Sequence, residues 1–354
     1  MVIKQYLSSR FFLFTLALIA YPFAPLVAAT FDDSEIFHID YPGWFQESPF
    51  HDLAEDLDRA RAAGKQGLMV LFTTEGCSYC EVFIRKSLGD PDLVAILKKH
   101  FDTVGMEMFD DSEMTDPRGA YIRVKHFAKR EGAGFSPTLL FYGDKGELIL
   151  RAIGYQSPER FRKILSYLIG ERYRFESFRD YLRRQAPPVA SAQIRGRLKP
   201  DSLFSKPPYA LDRRRFPASQ PLLVIFEKID CKGCGVLHDE VLTHSDIRKT
   251  LKQFEIVRLD AADSRTRLIA PDGTQTTPTS WYDQTNFTRV PALMFFDEKG
   301  NEVLRTDTLV LRQRMMNSLN YVLERAYKKG WTYQRFARSK GIERNREKQL
   351  RNER

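Results

Sequence analysis

Cysteine is scarce in this chain. There are four thiols in 354 residues, and none stands alone. Cys77 and Cys80 form one C-x-x-C pair, and Cys231 and Cys234 form a second. A secreted scaffold stapled by disulfides distributes its cysteines differently, so a framework of structural bridges is excluded; every thiol sits where redox or metal chemistry uses it. Zinc-finger, RNA-recognition and helix-turn-helix signatures are also lacking, which argues against a nucleic-acid partner. Beyond residue 29 no run is long and apolar enough to span a bilayer. What remains is a globular mixture, 43% hydrophobic and 29% charged, long enough for two domains at roughly 100–200 residues each. The net charge of +9 favours acidic partners or anionic membrane surfaces and says little about fold.

The first 29 residues have the three parts of a secretory leader. Lys4 and Arg10 supply positive charge, Phe11 to Leu26 is almost wholly apolar, and Val27-Ala28-Ala29 gives the small residues a signal peptidase needs. Cleavage is expected after Ala29, which places the folded part in the periplasm. An uncleaved anchor is the competing reading, and only then would the protein contact the membrane. Pro22 and Pro25 would disturb such a helix.

The rest of the chain repeats itself. Adding 154 carries Cys77 to Cys231, Cys80 to Cys234 and Pro137 to Pro291. The same offset pairs Phe141 with Phe295, Lys145-Gly146 with Lys299-Gly300, Leu165 with Leu319, Tyr167 with Tyr321 and Tyr173 with Tyr327. One constant offset over about 95 residues points to one fold, duplicated.

Each half reads alike. In the first, residues 53–63 are an amphipathic helix, and Gly67 to Thr73 is a buried strand that runs into a helix opened by the cysteines. Residues 91–100 and 120–130 read as helices, with strand character over 101–109 between them. Two strands flank Gly143 to Gly146, and a helix from Pro158 to Ile169, capped by Ser157, closes the unit. In the second half, Leu222 to Phe226 precedes the cysteines, strands flank Lys299-Gly300, and Leu311 to Tyr327 is the closing helix. The expected organisation is a leader (1–29), a first domain (30–183), a Pro/Ala-rich linker (184–200), a second domain (201–335) and a basic tail (336–354). From Arg338 onward that tail carries seven Lys/Arg and three Glu without an apolar stripe, and reads as a solvated, frayed extension.

A strand, a C-x-x-C at a helix start, then a proline ahead of a strand and hairpin resembles the thioredoxin superfamily. The residues that carry the likeness are Cys77-Ser78-Tyr79-Cys80 with Ser136-Pro137, and Cys231-Lys232-Gly233-Cys234 with Val290-Pro291. The resemblance implies an α/β chain of two tandem thioredoxin-like domains, each a central mixed sheet flanked by helices. It also implies that both prolines are cis and that they keep metals off the thiols. The physical chemistry agrees with the likeness. Unpaired N–H groups and the dipole at a helix start favour a thiolate, so Cys77 and Cys231 are the expected nucleophiles. Residues three apart share a helix face, so Cys80 and Cys234 are the expected resolving thiols. Ser136, Pro137, Val290 and Pro291 would present backbone to substrate, and Tyr79 an aromatic surface beside the thiol. A Tyr ahead of the second cysteine is similar to periplasmic disulfide isomerases and to the thioredoxins of sulfur-oxidising systems.

The two sites differ from each other and from thioredoxin. In the second, Lys232 favours a thiolate, Asp230 opposes it, and Gly233 and Gly235 weaken the helix. The Trp that precedes the first cysteine of thioredoxin is replaced by Gly76 and Asp230, and its buried Asp by Leu71 and Ile225.

The expected function is an exported protein-disulfide reductase or isomerase. It would use no cofactor beyond its own disulfides and draw electrons from a membrane thiol transporter of the DsbD type. Two other readings remain: a periplasmic copper carrier using Cys231, Cys234 and His238, or one redox domain joined to a thioredoxin-like docking module. Zinc usually takes four ligands and no good fourth is evident, so His238 reads first as an exposed helical histidine, with no metal site assigned. His244 reads as a loop or helix start, and His100 and His126 as surface or packing residues. Asp110-Asp111-Ser112-Glu113 lacks calcium-loop spacing and reads as a solvated loop. Tyr155, Tyr167, Tyr173, Trp331 and Tyr333 read as packing residues.

Overall fold

Glycine at position 67 opens the strand on which the first half is built. A Cβ there would meet the Tyr142 carbonyl oxygen at 1.9 Å, so only glycine lets the two strands close. The computed structural model describes residues 31–46, 51–185, 198, 200–209, 211–214, 217–229 and 231–352. The leader, most of the linker and Asp230 lie outside the described residues.

In the first half α1 (Leu53–Ala62) leads into β1 (Gly67–Thr73), whose seven residues are all buried. α2 (Ser78–Val82) continues as a wider π-helical turn to Ser87, then come α3 (Pro91–His100) and β2 (Phe101–Glu107). β3 (Glu113–Thr115) and β4 (Tyr121–Arg123) form a small hairpin before α4 (Val124–Arg130). β5 (Thr138–Gly143), β6 (Leu148–Ile153), α5 (Pro158–Ile169) and α6 (Phe178–Gln185) complete the half. Ser157 caps α5 with its side-chain oxygen, as expected, and Asp52 and Asp90 cap α1 and α3 in the same way.

The second half runs β7 (Leu222–Glu227), α7 (Lys232–Val236) with a π-helical turn to Val241, α8 (Ser245–Leu251) and β8 (Glu255–Asp260). β9 (Leu268–Ile269), β10 (Gln275–Thr276) and α9 (Pro278–Gln284) follow, then β11 (Ala292–Phe296), β12 (Glu302–Thr306), α10 (Arg312–Leu323) and α11 (Tyr333–Asn352). The two main sheets have the same order, β2-β1-β5-β6 and β8-β7-β11-β12, with one parallel and two antiparallel pairings each. Leu71 faces Leu139 where Ile225 faces Leu293, and both hairpins slip register after Phe141 and Phe295. The duplication thus extends to the irregularities, and the fold class is the expected one.

Three expectations need correction. Residues 120–130 are not one helix: Asp116 Oδ1 accepts from the N–H groups of Arg118 and Ala120, closing a turn, and Tyr121–Arg123 then pairs as a strand. The closing helix of the second half ends at Leu323, because Arg325 takes a left-handed backbone (φ 54), as Glu171 does (φ 47) after α5. The tail is helical rather than frayed. α11 begins inside the second domain, and Tyr333 and Phe336 are buried. It stands where α6 stands in the first half, packing on the closing helix: Phe336 lies 5.7 Å from Tyr321, as Phe178 lies 5.1 Å from Tyr167. The two apolar residues at its start were legible; the basic remainder masked them. α6 likewise runs two residues past the expected boundary at 183.

The described residues from Asp32 onward form one compact unit. The halves share core: Phe135, from the loop ahead of β5, is 5% exposed and sits in the second half's hydrophobic cluster, its ring 4.5 Å from that of Tyr333. Among the described residues no helix is long and apolar enough to cross a membrane. Because Phe135 belongs to the partner half's core, Phe135→Ala is expected to lower unfolding free energy by about 3–5 kcal/mol, measured by urea denaturation. A change near zero would mean the halves do not depend on this contact.

Candidate redox sites

Both cysteine pairs lie where a central strand turns into a helix. After β1, Gly76 takes a positive φ of 78° and sets Cys77 as the N-cap of α2. The Cys77 Sγ lies 3.1 Å from the Cys80 N–H, which is directed at it. In the second half Cys231 caps α7 and its Sγ lies 3.0 Å from the Cys234 N–H. Each pair is joined as a disulfide, with Cα atoms 5.3 and 5.1 Å apart. Ser136-Pro137 and Val290-Pro291 are cis and stand opposite them. The Ser136 Oγ is 3.2 Å from the Cys77 Sγ, and the Val290 carbonyl oxygen is 3.2 Å from the Cys231 Sγ. Helix N–H groups aimed at the first sulfur of each pair stabilise negative charge there.

A thioredoxin-like domain model matches residues 53–169 and again residues 217–323. The chain belongs to the thioredoxin-like family. With a C-x-x-C pair in each of two such domains, it is of thiol–disulfide oxidoreductase type. No curated protein matches it. Among solved structures it is similar to a thioredoxin-fold protein from Helicobacter pylori (18% identity, 33% of this chain and 78% of that one, TM-score 0.30). It is also similar to a thioredoxin from Thermus thermophilus (25% identity, 34% and 85%, TM-score 0.27). A disulphide isomerase from Xylella fastidiosa Temecula1 overlaps at 14% identity, 35% and 97%, with a TM-score of 0.27. The assignment rests on the doubled family match.

The two thioredoxin-like sites are not equally open. Cys77, Ser78, Tyr79, Cys80, Ser136 and Pro137 are all buried. Cys231, Val290 and Pro291 are half-buried, Lys232 is exposed, and the neighbouring Ile229 is 40% exposed. Gly233 packs under the second proline; a Cβ there would lie 3.1 Å from the Pro291 Cδ, so this glycine permits close approach as well as weakening the helix.

Tyr79, at the position equivalent to Gly233, does not present an aromatic surface to substrate. It is 4% exposed. Its hydroxyl donates to Asp33 Oδ2 (2.8 Å) and accepts from the Leu311 N–H (2.9 Å), and the Arg314 guanidinium lies 3.4 Å above its ring. Burial, then the Asp33 carboxylate, hold its pKa well above that of an ordinary phenol, so it remains a donor. Asp33 also accepts from the N–H groups of Gln313 and Arg314 at 2.8 Å each. Asp33, Arg314 and Gln334 are site residues that the repeat could not reveal, because they sit 281, 178 and 198 residues from their partners. One signal was present: Leu311 stands where Ser157 caps α5, and leucine cannot cap a helix.

His238 is also corrected. It is 8% exposed, its Nε2 lies 2.8 and 3.1 Å from the two Glu227 carboxylate oxygens, and its ring meets Phe204 edge-on. A buried carboxylate at the end of β7 needs a polar partner, and the helical histidine turns inward to supply it. Its Nε2 is therefore engaged by Glu227. His244 stands at the N-cap of α8, as expected. In the acidic stretch, Asp111 pairs with Arg123 and Lys125 at 2.8 Å, and these contacts hold its pKa low. Among the described residues no group of three or more potential ligands could hold a metal.

Tyr79→Phe removes the proton donor to a buried carboxylate and the acceptor for the Leu311 N–H. It is expected to cost about 1.5–3 kcal/mol, read by chemical denaturation of the oxidised protein. A neutral result would mean that water replaces the hydroxyl.

Proposed function

We propose that the protein is an exported protein-disulfide reductase or isomerase. The observation that supports this most strongly is that each C-x-x-C caps a helix and faces a cis X-Pro bond. In the reduced protein the thiolate of Cys77 or Cys231 attacks a substrate disulfide. One substrate sulfur leaves as a thiolate, and the other is held in a mixed disulfide. Cys80 or Cys234 then attacks the mixed disulfide, releasing the second substrate thiol and re-forming the C-x-x-C disulfide. The two electrons lost by the dithiol equal those gained by the substrate, so each turnover needs a thiol donor. In a compartment kept oxidising, a membrane thiol transporter of the DsbD type is the donor class that fits. Pro137 and Pro291 lack an N–H, and their role is to shape the backbone of Ser136 and Val290 beside the sulfurs. The redox disulfides serve in place of a bound cofactor. Export rests on the leader, and the mature chain isolated from the periplasm is expected to begin at Thr30, which N-terminal mass spectrometry reads directly.

Variants that keep one cysteine pair, titrated against glutathione, test the direction of chemistry. Values between roughly −180 and −270 mV accord with an isomerase or reductase, whereas values near roughly −120 mV would mark an oxidant and overturn the reading. Cys77→Ser combined with Cys231→Ser should abolish reduction of insulin.

A further inference from the structure

We propose that the first C-x-x-C is closed to extended polypeptides and exchanges with small thiols and disulfides, while polypeptide disulfides react at the second. This rests on the oxidoreductase reading above and assigns a substrate class to each site.

An extended peptide laid beside a strand end uses one N–H and one C=O of the residue that it faces. At Ser136, the residue ahead of the first cis-proline, both groups are already taken. Its N–H donates to the Gln334 Oε1 (3.1 Å), and its carbonyl accepts from the Arg314 Nη2 (2.9 Å). A side-chain carbonyl and a guanidinium N–H from the second half thus stand where the acceptor and donor of a bound strand would be. Gln334 is 7% and Arg314 6% exposed. The cover is anchored on both sides. Phe135, next to Ser136, lies in the second half's core against Tyr333, and Tyr79 beneath Arg314 is held by Asp33. Displacing the cover would expose these aromatic side chains, so it acts as a fixed wall. Among the described residues no such pair reaches Val290, and Cys231 is half-buried where Cys77 is 7% exposed.

Cys77 is reached through a cleft of about 230 Å³, walled by Glu75, Arg314, Gln334, Arg338 and Ile342. That is below the roughly 300–1,000 Å³ of pockets that enclose a whole drug-sized ligand. It admits a small thiol or one end of a small disulfide. A cleft of about 220 Å³ beside Gly233, Val290 and Pro291 would admit the same, so the difference between the sites rests on the occupied Ser136 backbone and not on cleft size. In the oxidised protein a small thiolate attacks the Cys77 Sγ, Cys80 leaves as a thiolate, and a second small thiolate then displaces Cys77. Two thiols become one small disulfide, and the C-x-x-C gains the two electrons; the reverse path reduces a small disulfide.

The test uses the full chain with one pair retained (Cys231→Ser with Cys234→Ser, or Cys77→Ser with Cys80→Ser). Each is reduced beforehand and mixed in single turnover with hydroxyethyl disulfide or insulin. The ratio of small-disulfide to insulin rates should be at least about tenfold higher for the first pair, the effect of blocking two backbone hydrogen bonds. In the first-pair background, Gln334→Ala should raise the insulin rate about threefold to tenfold with little effect on hydroxyethyl disulfide. Gln334→Glu, which keeps an acceptor, should stay at the parent ratio. Equal ratios for the two pairs, or a Gln334→Ala variant that moves both rates together, overturn the assignment and leave the oxidoreductase reading standing. A first pair that exchanges with neither probe overturns both for that half.

Discussion

A helix that cannot cap itself holds the two halves together. α10 begins after Leu311, which has no side-chain oxygen, whereas its counterpart α5 begins after Ser157, which does. Orphan N–H groups at a buried helix start must find acceptors elsewhere. Asp33 provides them, accepting from Gln313 and Arg314, and the Tyr79 hydroxyl accepts from Leu311 itself. A carboxylate at a helix N-terminus is favoured by the dipole and contributes about 0.3–2 kcal/mol. Here it also fixes where Arg314 emerges, and so what Arg314 covers. The geometry of the first redox site follows from that one missing oxygen.

The charges close among themselves. Arg314 is 6% exposed, with a phenol face 3.4 Å below it, and it donates to the Ser136 carbonyl and toward the Leu309 carbonyl (3.2 Å). Asp33, 8% exposed, receives one hydroxyl and two backbone N–H groups. Buried charge is tolerated when its hydrogen-bonding capacity is met, and both groups meet it across the boundary between halves. A second crossing lies beside the other site. Arg289 donates to the carbonyls of Ile153 (2.9 Å) and Tyr155 (3.2 Å), and Arg160 donates to the Thr288 hydroxyl (2.8 Å). Burial lowers the pKa of both arginines; the charge of Arg289 adds to the effect on Arg160, which falls to about 9, and that of Arg314 to the effect on Arg289. The halves therefore meet through polar contacts placed next to both cis-prolines.

The sequence carried most of the fold and little of this junction. The offset of 154 located both sheets, both cysteine pairs and both prolines, because duplicated local patterns survive as residue identities. The buried strands, the Ser157 cap and the hairpins were legible for the same local reason. Residues 120–130 misled because a side chain, Asp116, competes with the helix for N–H groups. Tyr79 and His238 misled in a related way. Each sits on a short helix beside a redox pair, and which way it faces is decided by Asp33 or Glu227, residues that periodicity does not connect to it. The leader and linker readings remain sequence expectations.

Duplication gives two copies the same backbone, so a difference in what they admit must come from what surrounds them. The first copy ends with α6, eight residues long, and the second with α11, which is twenty. Both pack their aromatic start on the preceding helix, and in both a tyrosine hydroxyl ties the two together: Tyr167 to the Glu176 carbonyl and Tyr321 to the Trp331 carbonyl, each at 2.8 Å. Gln334 lies in the first turn of α11, held in place by that shared packing, so the covering contact needs no new framework. The longer helix then carries Arg338 and Ile342 along the same cleft. An element inherited to close one domain has, by position and length alone, become a wall of the other domain's site.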